Sequence, residues 1–163
     1  MSSLEVDQTI SSSRIAIVPH YLAMTTYTRE FIERPENNLW VPLQKIWDER
    51  KGGDCYWFAL RPATAGMGGI CGTPIGIAFI RGWADNWDEK VFGVVVDYDH
   101  IHRSGLGSLL LQTAIVEARL RGLASLRLHV DGRNAAAIGM YEKFGFEHVE
   151  KRADGQLTMR KKL

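Results

Sequence analysis

The chain has 163 residues, 45% of them hydrophobic and 24% charged, the proportions of an ordinary soluble globular protein. Its formal charge of +1, from 20 basic and 19 acidic side chains, argues against general nucleic-acid or membrane-surface binding. No apolar run approaches the roughly 20 residues of a membrane-spanning helix.

Residues 1–13 are polar and serine-rich and lack the basic start and apolar stretch of a signal peptide. They read as a disordered tail before a single domain over 14–163. Residues 14–18 form a short apolar run that Pro19 should stop, which predicts a first strand. Residues 21–34 suit a helix limited by Pro35, and 41–50 a second one ended by Lys51-Gly52-Gly53. Residues 55–60, rich in aromatics, predict a strand. Residues 61–72 are loop, 74–81 a strand, and 82–90 a polar connection carrying Trp83 and Trp87. Cys55 and Cys71 are not spaced as a metal motif and read as reduced thiols of a cytoplasmic protein.

The valine-rich strand 91–97 leads into His102-Arg103-Ser104-Gly105-Leu106-Gly107-Ser108, and an apolar-periodic helix follows over 105–121. Leu106, Leu109, Leu110, Thr113, Val116 and Leu120 give that helix its predicted stripe. Strand, glycine-rich turn and helix together leave the first helical N–H groups without partners at the positive end of the dipole. The natural guest is an anion, most often a phosphate, and glycines let it approach the main chain. The loop lacks the third glycine of a dinucleotide fingerprint, because Leu110 stands there, and no Gly-Lys-Ser/Thr run supports a triphosphate loop.

Gly122 should cap the helix in the left-handed region. Residues 125–130 predict a strand with Leu126 and Leu128 on one face and Arg127 and His129 on the other. Asn134 should cap a helix running to Phe144, with Gly145 as its stop. Residues 146–152 and 157–162 should form a hairpin around Asp154-Gly155.

The loop at 102–108, the strand end Leu128-His129-Val130, and the block Asn134, Ala137, Tyr141, Gly145, Phe146 occur in that order. Together they resemble the GNAT superfamily of acyl-CoA-dependent N-acetyltransferases, over residues 91–146. Two departures stand out: His102 occupies the position where the family usually has arginine or glutamine, and Asp99 lies where a proline is frequent. The resemblance implies an α/β fold with a mixed, mostly antiparallel sheet, splayed at strands 4 and 5, with helices on both faces.

It also implies acetyl-CoA as co-substrate and no metal; His100 and His102 without a third ligand make a poor zinc site. The diphosphate would rest on Arg103, Ser104, Gly105, Leu106, Gly107 and Ser108, with His102 beside them. The pantetheine arm would bond the backbone of Val95, Val96 and Asp97, and Asn134 and Tyr141 would share the same groove. The reaction implied is direct attack of a primary amine on the acetyl carbonyl in a ternary complex. Tyr141 is the expected acid, His129 the favoured base with Asp97 as the alternative, and a backbone N–H near Val96 the polariser of the carbonyl.

The acceptor is an amine of a small molecule or peptide, with nucleic acid and membrane excluded and a homodimer left open. Trp83 and Trp87, beside Asp85, Asp88 and Glu89, either receive a cationic amine or are packed indoles in a solvated acidic loop. A non-catalytic acyl-CoA sensor of the same fold is the alternative reading.

Overall fold

The computed structural model describes residues 15–19, 48–49, 51–62, 72–97 and 105–163. The strands are β1 (Ala16–Pro19), β2 (Cys55–Pro62), β3 (Gly72–Arg81), β4 (Val91–Val96), β5 (Ser125–Asp131), β6 (Glu147–Lys151) and β7 (Gln156–Lys162). Helix α1 (Leu106–Leu120) joins β4 to β5, and α2 (Ala135–Lys143) joins β5 to β6. The expected helix over 21–34 lies outside the described residues. Of the second, Asp48, Glu49 and Lys51 are described and helical.

Seven strands form one sheet in the order β1-β2-β3-β4-β5-β7-β6. Every neighbouring pair is antiparallel except β4 and β5, which are parallel. Pro19 does not stop β1 but ends it as a member, paired with Trp57. The strand is at the sheet's edge, where a missing N–H breaks no ladder.

The main core lies between one face of the sheet and the two helices. It gathers Ile80, Phe92, Leu126, Leu128 and Met159 with Leu106, Leu110, Ala114 and Tyr141. Of the stripe expected on α1, Leu106, Leu109 and Leu110 are buried, but in the later turns the buried face passes to Leu111, Ala114, Ile115 and Ala118, while Val116 is 39% and Leu120 77% exposed. Alanines at 114 and 118 let the helix settle close to the sheet, and that contact outweighs the larger residues at 116 and 120.

On the opposite face Val18, Tyr56, Phe58, Leu60 and Ile77 form a second cluster. There the Tyr56 hydroxyl donates to Glu49, which also pairs with Arg81. Both charged groups are buried, so losing either partner would strand the other at a cost of about 3–5 kcal/mol. This pairing ties the helical residues near 49 to the second face of the sheet.

The β3–β4 turn is fixed by one carboxylate. Asp54 Oδ1 accepts the N–H groups of Gly82, Trp83 and Ala84 at 2.9, 2.7 and 3.1 Å. Burial nevertheless pushes its carboxyl above the usual range.

Candidate active site

Two elements of sequence shape the site: the parallel register of β4 with β5, and the turns that start the helices after them. The β4–β5 register holds at Val91↔Arg127 and Phe92↔Leu128 and goes no further. Beyond Phe92 the strands part. The Arg127 N–H donates to the Lys90 carbonyl at 3.1 Å, so the two-residue repeat aims the N–H and C=O of Val94 and Val96 into the gap. Val95 is turned the other way, paired with Ile77 of β3. Asp97 is buried, and its N–H donates to the Ile75 carbonyl at 2.8 Å.

Gly105 precedes α1 in the left-handed region, at φ 77°, and among the described residues no side-chain hydrogen bond caps the helix. Within α1 the amides of Gly107 and Ser108 have no carbonyl one turn behind them. A side chain at Gly105 would be strained by that φ, which accounts for glycine there. His102, Arg103 and Ser104 lie outside the described residues, so the candidate loop is described from Gly105 onward.

Asn134 caps α2, its Oδ1 accepting the Ala137 N–H at 3.1 Å. That bond fixes where α2 begins and therefore where Tyr141, two turns on, enters the core. The Tyr141 ring packs edge-on to Phe92 at 6.4 Å and tilted against Phe146 at 5.9 Å. Burial pushes its hydroxyl up to about 12.

These parts enclose a groove of about 670 Å³. Its walls are Val94 and Val96 of β4, residues 129–131 of β5, residues 105–108 at the start of α1, and Asn134, Ala136, Ala137, Met140 and Tyr141 around α2. The structure thus brings Val96, Gly105, Leu106, Gly107, Ser108, His129, Asn134 and Tyr141 to one cleft. It does not bring Val95 or Asp97 there. Val94, Asp131 and Met140 line it without having been singled out in the sequence. For Val94 the signal was available, since it shares the parity of Val96. Asp131 is held down to about 2, first by the hydrogen bond from Arg133.

His129 is half-buried, and burial first, then Arg127 and Arg152, hold its pKa below the usual histidine value. It is therefore neutral at neutral pH and able to accept a proton. It also lines a second cavity of about 620 Å³ beside the β3–β4 turn, with Asn86, Trp87, Asp88, Glu89, Val91 and Arg127. Two openings thus share His129 as a lining residue. Glu89 there is engaged by Arg160, Arg127 and Ser125. The indoles face this chain's own cations: Arg81 lies 5.6 Å from the Trp87 ring centre, and Arg121 and Lys90 lie 4.6 and 5.8 Å from that of Trp83. Among the described residues no group of three His, Cys, Asp or Glu side chains could hold a metal ion, and no helix is long and apolar enough to cross a membrane.

The parted parallel pair, the glycine start of α1 and Tyr141 line one groove. The acetyltransferase (GNAT) family matches residues 21–146. The chain belongs to that family. A 62-residue stretch is 45% identical to the [ribosomal protein bS18]-alanine N-acetyltransferase of Escherichia coli K12, covering 38% of this chain and 41% of that enzyme. Over 95 residues it is 36% identical to the mycothiol acetyltransferase of Saccharomonospora viridis, covering 58% of this chain and 26% of that protein. The chain therefore matches less than half the length of these curated relatives. The yncA acetyltransferase structure from Salmonella typhimurium, solved with acetyl-CoA, has the same fold. Its TM-score is 0.65 at 20% identity, covering 91% of this chain and 94% of that one.

Proposed function

We propose that this GNAT protein is an acetyl-CoA-dependent N-acetyltransferase that acetylates a primary amine within a ternary complex. One observation carries the reading: the edge of β4 that parts from β5 among the described residues, the start of α1 and Tyr141 line a single groove. The residues fit coenzyme A. The amides of Gly107 and Ser108 suit its diphosphate. The N–H and C=O groups of Val94 and Val96 suit the amides of its pantetheine arm, as in strand addition. His102, Arg103 and Ser104 belong to the same phosphate grip by their place in the loop.

An alkyl amine is largely protonated near neutral pH and must lose a proton to attack. In this reading His129 takes that proton. The nitrogen forms a bond to the acetyl carbon, the C–S bond breaks, and the nitrogen gives up its second proton to the surroundings. Tyr141, kept protonated by its burial, donates a hydrogen bond to the departing sulfur. The Val96 N–H is in reach of the gap to polarise the carbonyl. Asp97, the other candidate base, is buried, its N–H is taken by β3, and it does not line the groove, which favours His129.

The acceptor is a peptide or small-molecule amine. The E. coli relative's name gives an alanine of ribosomal protein bS18, and the S. viridis relative's gives mycothiol. With Trp83 and Trp87 already facing arginine and lysine, an aromatic cage for a cationic amine loses support, and a peptide amine gains it. The cytoplasm is the expected location. The non-catalytic sensor is disfavoured because it leaves Tyr141 and His129 in the groove without a task.

The test is thiol release from acetyl-CoA with three acceptors: an alanine-initiated peptide, spermidine and kanamycin. Release with one of them, and product mass increased by one acetyl group, is expected. Coenzyme binding without release for any amine would favour the sensor.

A further inference from the structure

His129 of β5 and Thr158 of β7 are register partners across an antiparallel ladder. The imidazole Nδ1 lies 3.1 Å from Thr158 Oγ1. Thr158 is fully buried, whereas His129 is half-buried and lines both openings. With Nδ1 engaged by the buried hydroxyl, Nε2 is the other ring nitrogen, outside that contact.

A neutral imidazole has one donor and one acceptor nitrogen, and the partner of one decides the role of the other. Were Thr158 to donate to Nδ1, the hydrogen would sit on Nε2 and no lone pair would face an incoming amine. Were Thr158 to accept from Nδ1–H, Nε2 would keep its lone pair. The second arrangement alone survives proton transfer, because both nitrogens of an imidazolium are donors.

We propose that Thr158 is a positioning residue: its hydroxyl accepts the Nδ1–H of His129 and so presents the Nε2 lone pair to the amine. This rests on the reading of His129 as the base. In the step concerned, one ammonium proton moves to Nε2. The freed electron pair forms the N–C bond, the C–S pair leaves with sulfur as thiolate, the nitrogen's second proton passes to solvent, and the imidazolium later returns its proton to water. The hydrogen on Nδ1 keeps donating to Thr158 throughout.

The surroundings explain why a hydroxyl suits this task. The charged groups acting on His129 are Arg127 on its own strand, Glu150 on β6, and Arg152 and Asp154 in the β6–β7 turn. The arginines disfavour imidazolium and the acids favour it. A carboxylate at the Thr158 position would raise the imidazole's basicity and leave it protonated nearer neutral pH. A neutral hydroxyl orients the ring and leaves it an unprotonated base.

Two measurements test this. Nitrogen-15 NMR of the histidine rings in the full-length protein, with His129 assigned by its loss in His129→Gln, should show hydrogen on Nδ1 in the neutral form. Hydrogen on Nε2 would overturn the proposal, with or without a known acceptor. The second is thiol release against pH for Thr158→Val and Thr158→Ser. Valine should lower kcat about tenfold, leave KM for acetyl-CoA within about twofold, and move the acidic limb to lower pH, because imidazolium loses its acceptor. Serine should restore rate and limb, and it serves as the folded comparison if valine unfolds the sheet. Adding valine to His129→Gln should cost nothing further.

A wild-type profile in Thr158→Val, beside a large loss in His129→Gln, overturns the role of Thr158 and leaves the base in place. Wild-type rates in His129→Gln remove the base and this proposal together, while acetyl transfer itself stands on the thiol-release panel.

Discussion

Phe92 and Leu128 are the last register partners between β4 and β5. Both side chains are buried beneath α1 and α2, so the crotch of the parted strands is an apolar clamp. One residue beyond it stands His129, and Tyr141 packs its ring edge-on to Phe92 from above. The clamp thus fixes where His129 and Tyr141, the proposed base and acid, leave the core, and it does so through ordinary core packing.

Tyr141→Phe should leave the packing against Phe92 and Phe146 intact while removing the hydroxyl. Turnover is expected to fall by about 10²-fold or more, with acetyl-CoA affinity nearly unchanged. Steady-state thiol release and calorimetry on the same preparation read the two quantities. Turnover equal to wild type would take the hydroxyl out of the mechanism.

Gly107→Ala separates stability from binding. A Cβ there would come no closer than 3.4 Å to the Met140 sulfur, so the fold can hold it. Helix propensity should make the variant more stable by about 0.5 kcal/mol, read as a higher urea midpoint. The same methyl stands at the groove and should hold a diphosphate off the α1 amides, weakening coenzyme A binding about tenfold. Improved stability with unchanged affinity would move the phosphate site elsewhere.

Gly93→Ala should act on the sheet alone. A Cβ at Gly93 would fall 2.1 Å from the Phe79 ring, its partner on β3. Phe79 must leave that position or β4 must shift, at a cost of about 1–3 kcal/mol. Chemical denaturation measures this, and a midpoint equal to wild type would contradict the cross-strand packing described here.

Local signals in the sequence carried most of the fold. Asn134 and Gly145 mark the ends of α2 because capping and left-handed turns depend on neighbouring residues, and φ at Gly145 is 84°. The alternation at Leu126, Arg127, Leu128 and His129 marks the faces of β5 for the same reason. What depended on distant partners was less legible. The buried face of α1 turned toward Ala114 and Ala118, because close approach to the sheet favoured small residues that no hydrophobic scale singles out. The backbone N–H of Asp97 and the ladder groups of Val95 face β3, a fact set by the parity of the Lys90–Arg127 hydrogen bond. Thr158 beside His129 could not be read at all without the β5–β7 register, which joins residues 29 apart in sequence. Residues 102–104, proposed for the phosphate site, lie outside the described residues, so only the sequence speaks for them.

The central claim is that the groove between β4 and β5 takes coenzyme A, phosphates on α1 and sulfur toward Tyr141. Isothermal titration of the full chain with coenzyme A and with acetyl-CoA tests it most directly. The account predicts saturable binding of one molecule per chain, weakened in Gly107→Ala and retained in Tyr141→Phe. Folded protein that takes up neither ligand, or that binds both equally well with Gly107→Ala, would contradict it.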